Sequence, residues 1–215
     1  MVEYYTKKGF KVVGCSRTHS NYEHSDYQHL CADVSKEEDV DNLFKTINSK
    51  YKRLDILVNN AGMSSENFVF HTSRETIQNV LNTNTVGSIL CCRQAVRLMR
   101  KHKFGRIINF SSIHVPLATL GTSAYSASKA AIVQFSRVFA REVYSLGITV
   151  NNLELSVVES SGMAESLSKE VLSQILGKTI TKSCIKPEEV CYAVDFLVSE
   201  KAKKITGHTL TIGGI

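Results

Sequence analysis

Apolar segments of strand length alternate along this chain with longer segments that repeat apolar residues at helical spacing. The strand-like segments are rich in β-branched and apolar residues and end at glycine or polar positions. They predict six strands, at 10–16, 29–34, 54–62, 106–112, 147–155 and 208–214. Strands that are separated by helices are typical of a parallel sheet.

The helical segments support the same architecture. Segment 35–52 begins with a serine and an acidic turn, and it then carries Val40, Leu43, Phe44 and Ile47 at helical spacing. Further helices are predicted at 72–101, with an interruption near Asn84, at 123–146, and at 186–199 with Pro187 in the first turn. We therefore predict one single α/β domain over residues 1–215, a doubly wound parallel sheet with helices on both faces.

The composition fits a soluble globular domain. The 215 residues are 43% apolar and 21% charged, which is ordinary for such a domain. The net charge of +6 and the isoelectric point near 9.0 raise nucleic acid as a partner, but the lysines and arginines are scattered along the chain. We expect no nucleic-acid partner; steeply salt-dependent binding to DNA or RNA would revive that alternative.

The cysteines, histidines and apolar runs argue against three further classes. None of the six cysteines forms a C-x-x-C unit, and the seven histidines lack an H-E-x-x-H pattern, so neither a disulfide scaffold nor a metal site is predicted. The sequence shows neither a signal peptide nor an apolar run of membrane-spanning length. We expect no membrane partner, and a location in the cytoplasm or another reducing intracellular compartment.

Polar residues follow four of the predicted strands, and in an open parallel sheet ligands bind at the carboxyl ends of the strands. The residues at these ends are Arg17, Asp33, Asn60, Ala61, Gly62, Ser111 and Ser112. Tyr125 begins the helix after the fourth strand, and Lys129 lies one turn later on the same face. Tyr4 and Lys8 have the same spacing but precede every strand. We therefore predict that the later pair belongs to a site and the earlier pair does not.

Five short motifs stand in order along the chain: NNAG at 59–62, TNTVGS at 83–88, INFSS at 108–112, YSASK at 125–129 and ITG at 205–207. With them, essentially the whole chain resembles the classical short-chain dehydrogenase/reductase family, and most closely its 3-oxoacyl-acyl-carrier-protein reductase and carbonyl reductase members. The resemblance implies a Rossmann-like fold and an NAD(P)-dependent oxidoreductase that interconverts a carbonyl, of ketone or 3-oxoacyl type, and an alcohol. It also implies a small-molecule carbonyl or acyl substrate, and a homodimer or homotetramer formed through helices such as 85–103 and 123–146.

The resemblance assigns roles to four residues. Tyr125 would be the general acid/base, Lys129 its electrostatic partner and a ribose ligand, Ser112 the group that orients the carbonyl, and Asn84 the anchor of a proton-relay water. These residue types suit the chemistry, because hydride transfer leaves negative charge on the carbonyl oxygen and a proton donor must lie within hydrogen-bond reach. A lysine ammonium and a positive nicotinamide ring both favour the phenolate, so we expect them to lower the pKa of Tyr125.

The residue after the first strand predicts the cofactor. An arginine there pairs with the extra phosphate of NADP, whereas an acidic residue accepts hydrogen bonds from the ribose of NAD. Because Arg17 occupies this position, we favour NADP(H) over NAD(H); a plain surface arginine is the alternative. The resemblance adds further cofactor contacts: Asp33 and Val34 at the adenine, Asn60, Ala61 and Gly62 beside the adenosine ribose, and Tyr125, Lys129, Val158 and Ser160 towards the nicotinamide, where Ser160 would replace the family's threonine hydroxyl.

The sequence departs from the family pattern in two places. No glycine-rich T-G-x-x-x-G-I-G turn is present, and Met1 aligns within the family's first helix, so we expect the family's first strand and its pyrophosphate-binding turn to be missing. A buried strand contributes about 6–12 kcal/mol through its apolar side chains, against a total stability of about 5–15 kcal/mol for a domain. Near the nicotinamide, Leu155 and Ser156 stand where the family usually has Pro-Gly.

Several interpretations of the amino end stay open. Met1 is an internal methionine of a longer natural chain, or the chain is a truncated product with damaged cofactor binding; if this chain folds, strand 10–16 would close directly onto strand 55–59. The functional alternative is a catalytically silent fragment or pseudoenzyme that acts as a binding or oligomerisation module. Segment 156–181, which would form the substrate lid, is polar and serine-rich, and it does not identify the substrate.

Overall fold

The computed structural model describes residues 1–215, with the exception of the side chains of Met163 and Ser166. The six predicted strands are confirmed: β1 (Val12–Ser16), β2 (Tyr27–Cys31), β3 (Ile56–Asn59), β4 (Gly105–Ser112), β5 (Ile148–Leu155) and β6 (Thr209–Ile212). Every pairing between them is parallel, as the alternation of strands and helices predicts. No helix among the described residues is both long and apolar enough to cross a membrane.

The helices connect the strands and bury one face each. They are α1 (Val2–Lys7), α2 (Glu37–Tyr51), α3 (Arg74–Leu81), α4 (Gly87–Met99), α5 (His114–Leu117), α6 (Ser123–Val143), α7 (Gly162–Ser166), α8 (Lys169–Gly177) and α9 (Pro187–Val198). Helix α2 begins with an acidic turn, and the apolar positions predicted from its spacing are all buried: Val40, Leu43, Phe44 and Ile47. Pro187 is in the first turn of α9, as predicted.

The strands form two hydrogen-bonded groups. In the first group β1 pairs with β2, and in the second the order is β3-β4-β5-β6. The direct pairing of the first strand with the third, considered above, is therefore wrong: within the described backbone, β1 pairs only with β2 and β3 only with β4. Side chains still join the groups, because Val13 and Cys15 of β1 and Leu57 of β3 pack into one hydrophobic cluster. The two groups share a core without sharing hydrogen bonds.

Helices cover both faces of the strands, which confirms the doubly wound architecture. Neighbouring residues of a strand point to opposite faces, and the central strand β4 shows this directly. Its Ile107 packs into a cluster with α2, α4 and α6, whereas Ile108 and Phe110 pack into a second cluster with α9. Every residue of β4 is buried. The carboxyl end of this strand is thus held rigidly between two layers.

A π-helix, Asn82–Val86, joins α3 to α4, at the place where the sequence predicts an interruption near Asn84. Single-turn π segments inside helices are rare and occur often at functional sites. Gly87 follows it directly, and a Cβ added there would lie 2.8 Å from the backbone oxygen of Val34. Glycine therefore allows α4 to approach the loop after β2, and this contact fixes the position of the π-helix.

Segment 156–181, expected to be a flexible lid, contains two ordered helices. Ser161 accepts a hydrogen bond from the Ala164 amide at the start of α7, and Ser168 accepts one from the Val171 amide at the start of α8. These two serines are N-caps, a position at which serine is strongly preferred. The segment also contributes Ile175 to a small hydrophobic cluster beneath it. The polar sequence thus forms a structured cover over the carboxyl ends of β4 and β5.

Candidate active site

A cavity of about 220 Å³ lies at the carboxyl ends of β3, β4 and β5. This is the edge of the sheet at which an open parallel fold binds ligands. Six of the predicted site residues line the cavity: Asn60, Gly62, Ser112, Tyr125, Lys129 and Val158. Residues from three separate strand ends and one helix therefore meet in one place, although up to about a hundred positions separate them in sequence.

Tyr125 and Lys129 lie on successive turns of α6 and are both buried, with 5% and 6% of their surfaces exposed. The Lys129 Nζ atom is 5.9 Å from the centre of the Tyr125 ring, and it donates a hydrogen bond of 2.9 Å to the backbone oxygen of Phe110. The pair at Tyr4 and Lys8 differs, because Lys8 forms an ion pair with the partly exposed Asp195 on α9. The same spacing thus gives a cavity pair in one helix and a surface pair in the other.

Burial shifts the pKa values of this pair in opposite directions. The Lys129 ammonium loses hydration, and its pKa falls from 10.5 to about 8. Burial also raises the pKa of Tyr125 above 10.0, and the nearby Ser112 hydroxyl acts against this rise. In the protein alone Tyr125 is therefore a protonated phenol. The lowered pKa that the sequence predicts from Lys129 and a positive nicotinamide ring is not seen there, because burial has the larger effect.

Ser112 ends β4 with 5% of its surface exposed. Its Oγ accepts a hydrogen bond of 3.3 Å from the backbone amide of His114. A hydroxyl that already accepts one hydrogen bond keeps its proton available for donation to another oxygen. Ser112 is thus a fixed hydroxyl between the end of β4 and Tyr125.

Asn84 is almost completely buried in the π-helix. Its side-chain nitrogen donates to the backbone oxygen of Met63 and to the Ser128 hydroxyl, each at 2.9 Å, and its side-chain oxygen accepts from the Met63 amide at 2.8 Å. The amide thus ties the loop after β3 to helix α6. Its expected role at a relay water stays a prediction, because the side chain is fully engaged in these contacts.

Gly62 brings the loop after β3 against Lys129. A Cβ added at Gly62 would lie 3.3 Å from the Asn84 side-chain oxygen and 3.5 Å from the Lys129 Nζ. Any side chain here would fill the space beside the ammonium, so glycine keeps that space open. Ala61 is exposed at the same loop and does not line the cavity.

The residues predicted for the adenosine end lie apart from the cavity. Arg17 is exposed directly after β1, and its charge helps lower the pKa of Asp33, which follows β2. The larger cause of that lowering is the Ser35 hydroxyl, which donates to the Asp33 carboxylate at 2.7 Å. Val34 is buried and contacts Gly87 through its backbone. The structure thus brings Arg17 and Asp33 together at the carboxyl edge of β1 and β2.

The lid end of the cavity differs in detail from the expectation. Val158 lines the cavity, and its backbone oxygen accepts a hydrogen bond of 2.7 Å from Ser161. Ser160 is exposed, has a positive φ of 53°, and does not line the cavity, whereas Ser161 does. The proposed contact of Ser160 with the nicotinamide stays a prediction that this placement does not support.

Several residues that line the cavity were not assigned a role from the sequence, and the polar ones among them are Ser111, His114, Ser156 and Ser161. The Ser111 and Ser156 hydroxyls are fully enclosed and have no hydrogen-bond partner within the described part of the chain. His114 is buried beside Tyr125. His114 follows the last residue of β4, Ser112, by two positions, so a site prediction that included the first residues after each strand would have contained it.

Other kinds of centre are not seen among the described residues. They contain no group of three or more His, Cys, Asp or Glu side chains that could hold a metal ion. All six cysteines are free thiols in the structure. The cavity, with the buried polar side chains that line it, is therefore the candidate functional site.

Comparison with known proteins gives a consistent result. Residues 3–214 match the model of a family described as enoyl-(acyl carrier protein) reductase. The chain is 35% identical to a 3-oxoacyl-[acyl-carrier-protein] reductase of Synechocystis, over 85% of this chain and 73% of the relative. It is 31% identical to 3-oxoacyl-[acyl-carrier-protein] reductase FabG of Vibrio cholerae, over 100% of this chain and 90% of the relative. The corresponding protein of Staphylococcus epidermidis is 32% identical over 85% of this chain and 75% of the relative.

Proposed function

The chain belongs to the classical short-chain dehydrogenase/reductase family, and from this membership we propose that it is an NADP(H)-dependent reductase of a carbonyl of ketone or 3-oxoacyl type. One observation carries the proposal: Ser112, Tyr125 and Lys129, from a strand end and a helix, line one cavity in buried, fixed positions. The names of the relatives support acyl thioesters as the substrate class. A free ketone of similar size is the alternative carbonyl substrate.

The residues present fit a nicotinamide dinucleotide in two respects. The open space at Gly62 lies beside Lys129, and Arg17 is exposed directly after β1, where the extra phosphate is expected. When bound, the cofactor supplies the hydride that the carbonyl carbon accepts. The residues that would hold it are Arg17 at the extra phosphate, Asp33 and Val34 at the adenine, Asn60, Ala61 and Gly62 along the ribose, and Tyr125, Lys129 and Val158 towards the nicotinamide.

Tyr125 donates the proton in this scheme. As the carbonyl carbon gains a hydride, its oxygen becomes negative and takes the phenolic proton, so the product is an alcohol and Tyr125 is left as a phenolate. Ser112 donates a hydrogen bond to the same oxygen and orients the carbonyl. The raised pKa of Tyr125 keeps the proton on the phenol until negative charge develops on the carbonyl oxygen.

Lys129 stabilises the phenolate that proton transfer leaves behind. Its pKa of about 8 means that most of the population is an ammonium at neutral pH, yet the proton is released readily. A cation in a buried site interacts more strongly with a new negative charge than one in water does. Asn84 supports this arrangement from the other side, because it fixes the Met63 backbone beside Lys129.

We also propose that the protein forms a homodimer or homotetramer. Large apolar side chains remain exposed on α6, on α9 and on β6: Val138, Tyr192, Phe196 and Leu210. Exposed apolar patches of this kind mark interaction surfaces when they are contiguous. Light scattering on the purified chain tests this, and a mass of one chain would contradict it.

Location in the cytoplasm or another reducing compartment stays a prediction, which imaging of a tagged chain would check.

Replacement of Tyr125 by phenylalanine tests the catalytic proposal. The variant keeps the ring and loses only the hydroxyl, so we expect kcat for NADPH-dependent reduction of an acetoacetyl thioester to fall about 100-fold or more, the usual contribution of a positioned general acid. NADPH affinity, measured by fluorescence titration, should change little. Tyr4→Phe is the matched control, because Tyr4 has the same i, i+4 lysine but lies outside the cavity, where its hydroxyl donates to Asp195. Undiminished turnover in Tyr125→Phe would refute the role given to this tyrosine.

A further inference from the structure

His114 is a histidine inside the catalytic cavity for which the proposed chemistry has no use. It lines the cavity with 7% of its surface exposed, at the start of α5. Its ring stands edge-to-face to the Tyr125 ring, with 6.1 Å between the ring centres. A small substrate held by Tyr125 would therefore also lie within reach of the imidazole.

The two ring nitrogens of His114 have different surroundings. Nδ1 forms a hydrogen bond of 2.8 Å with the Thr119 hydroxyl. Nε2 has no hydrogen-bond partner within the described part of the chain, and it is not among the fully enclosed polar atoms that lack one. Nε2 is thus the ring nitrogen left for a ligand, and the cavity is the space that this residue lines. When the Thr119 hydroxyl donates to Nδ1, the ring proton lies on Nε2, which is then a donor.

The charge state of His114 suits a neutral ligand oxygen. Burial lowers its pKa below 6.5, and two charged side chains nearby act in opposite directions, Glu66 raising the pKa and Lys178 lowering it. The imidazole is thus neutral near pH 7. A neutral N–H donor binds a carbonyl oxygen without adding the desolvation cost of a second buried cation beside Lys129.

We propose that His114 determines specificity for 3-oxo substrates, by donating a hydrogen bond from Nε2 to their second carbonyl oxygen while Ser112 and Tyr125 hold the oxygen of the carbonyl that is reduced. This inference rests on the proposed function, since it assumes that the cavity reduces a carbonyl. A 3-oxo thioester carries its two carbonyl groups on either side of one methylene, so both oxygens fit within a small cavity. A simple ketone lacks the second carbonyl oxygen that would accept this hydrogen bond from His114.

The test compares two substrates that differ only at the second oxygen. One is an acetoacetyl thioester, and the other is the thioether ketone in which a methylene replaces the thioester carbonyl. We expect His114→Phe to lower kcat/KM for the thioester about tenfold or more, as the loss of one buried hydrogen bond does, and to change kcat/KM for the thioether ketone less than threefold. His114→Gln, which retains an N–H donor, should recover part of the loss. Thr119→Val should reduce the preference for the thioester in the same direction, because it removes the partner that fixes the ring.

The possible results separate a failure of the His114 inference from a failure of the proposed reductase function. An equal fall for both substrates in His114→Phe, with no recovery in His114→Gln, would mean a structural role and would overturn the inference while leaving the reductase proposal intact. An unchanged preference in all three variants would overturn it as well. If wild-type protein that binds NADPH reduced neither substrate, the proposed function itself would fail, and the inference with it.

Discussion

Removal of the Lys129 charge should change how the stability of the fold depends on pH. Its pKa lies near 8 in the folded protein and at 10.5 for an exposed lysine. That difference of about 2.5 units corresponds to about 3 kcal/mol by which burial disfavours the charged form. Since the folded state binds fewer protons than the unfolded state between these two pKa values, the free energy of unfolding rises with pH across this window.

The magnitude follows from the same two values. Between about pH 7 and about pH 9.5, Lys129 alone should add about 2 kcal/mol to the free energy of unfolding of the wild-type protein. Lys129→Met keeps a long apolar stem and has no titrating group, so this increment should be absent. Other groups whose pKa values differ between the folded and unfolded states, such as the buried Cys91 thiol with a pKa raised to about 12, are common to both proteins and cancel in the difference.

Urea unfolding of both proteins at the two pH values measures the effect. At neutral pH we expect similar stabilities, because Lys129→Met removes a buried charge but also leaves the Phe110 carbonyl without its donor. Lys45→Met, at an exposed position of α2, is the control and should follow the wild-type pH dependence. If Lys129→Met gained as much stability at high pH as the wild-type protein, the lowered pKa of Lys129 would be refuted.

Two further predictions concern the cofactor and the fold. Arg17→Ala should weaken NADPH binding about tenfold or more and leave NADH binding within twofold, because only NADPH carries the phosphate that Arg17 would pair with; fluorescence titration measures both, Arg53→Ala is the control, and an equal loss for the two cofactors would contradict the assignment. Gly87→Ala should lower the free energy of unfolding by about 1–3 kcal/mol, because its Cβ would lie 2.8 Å from the Val34 backbone oxygen, whereas Gly177→Ala, which meets nothing within 4 Å, should be neutral or stabilising. Equal urea midpoints for these two glycine variants would show that the close approach at Gly87 is relieved at no cost.

Much of the fold could be predicted because local patterns coincide with the tertiary contacts. The buried face of α2 follows from the spacing of Val40, Leu43, Phe44 and Ile47, and the interruption near Asn84 is the π-helix. These features depend on residues close together in sequence. The pairing of strands does not, and the direct contact of the first and third strands was wrong for this reason: hydrophobic pattern predicts a strand but does not select its neighbour.

The candidate site could be predicted only in outline. The rule that ligands bind at strand ends brings Ser112 and Tyr125 together before any coordinates are known. It does not show how side chains orient: Ser161 rather than Ser160 faces the cavity, and the Asn84 amide is engaged by Met63. Burial is equally invisible in a sequence, and burial is what lowers the pKa of Lys129.

We propose that this cavity reduces a carbonyl with NADPH. The most direct measurement is the absorbance of NADPH when wild-type protein is mixed with an acetoacetyl thioester, together with quantification of the 3-hydroxy product. We expect saturable oxidation of NADPH, with one molecule of alcohol formed for each NADPH consumed. If a folded chain that binds NADPH leaves its absorbance unchanged with this thioester and with the matched ketone, the account is contradicted.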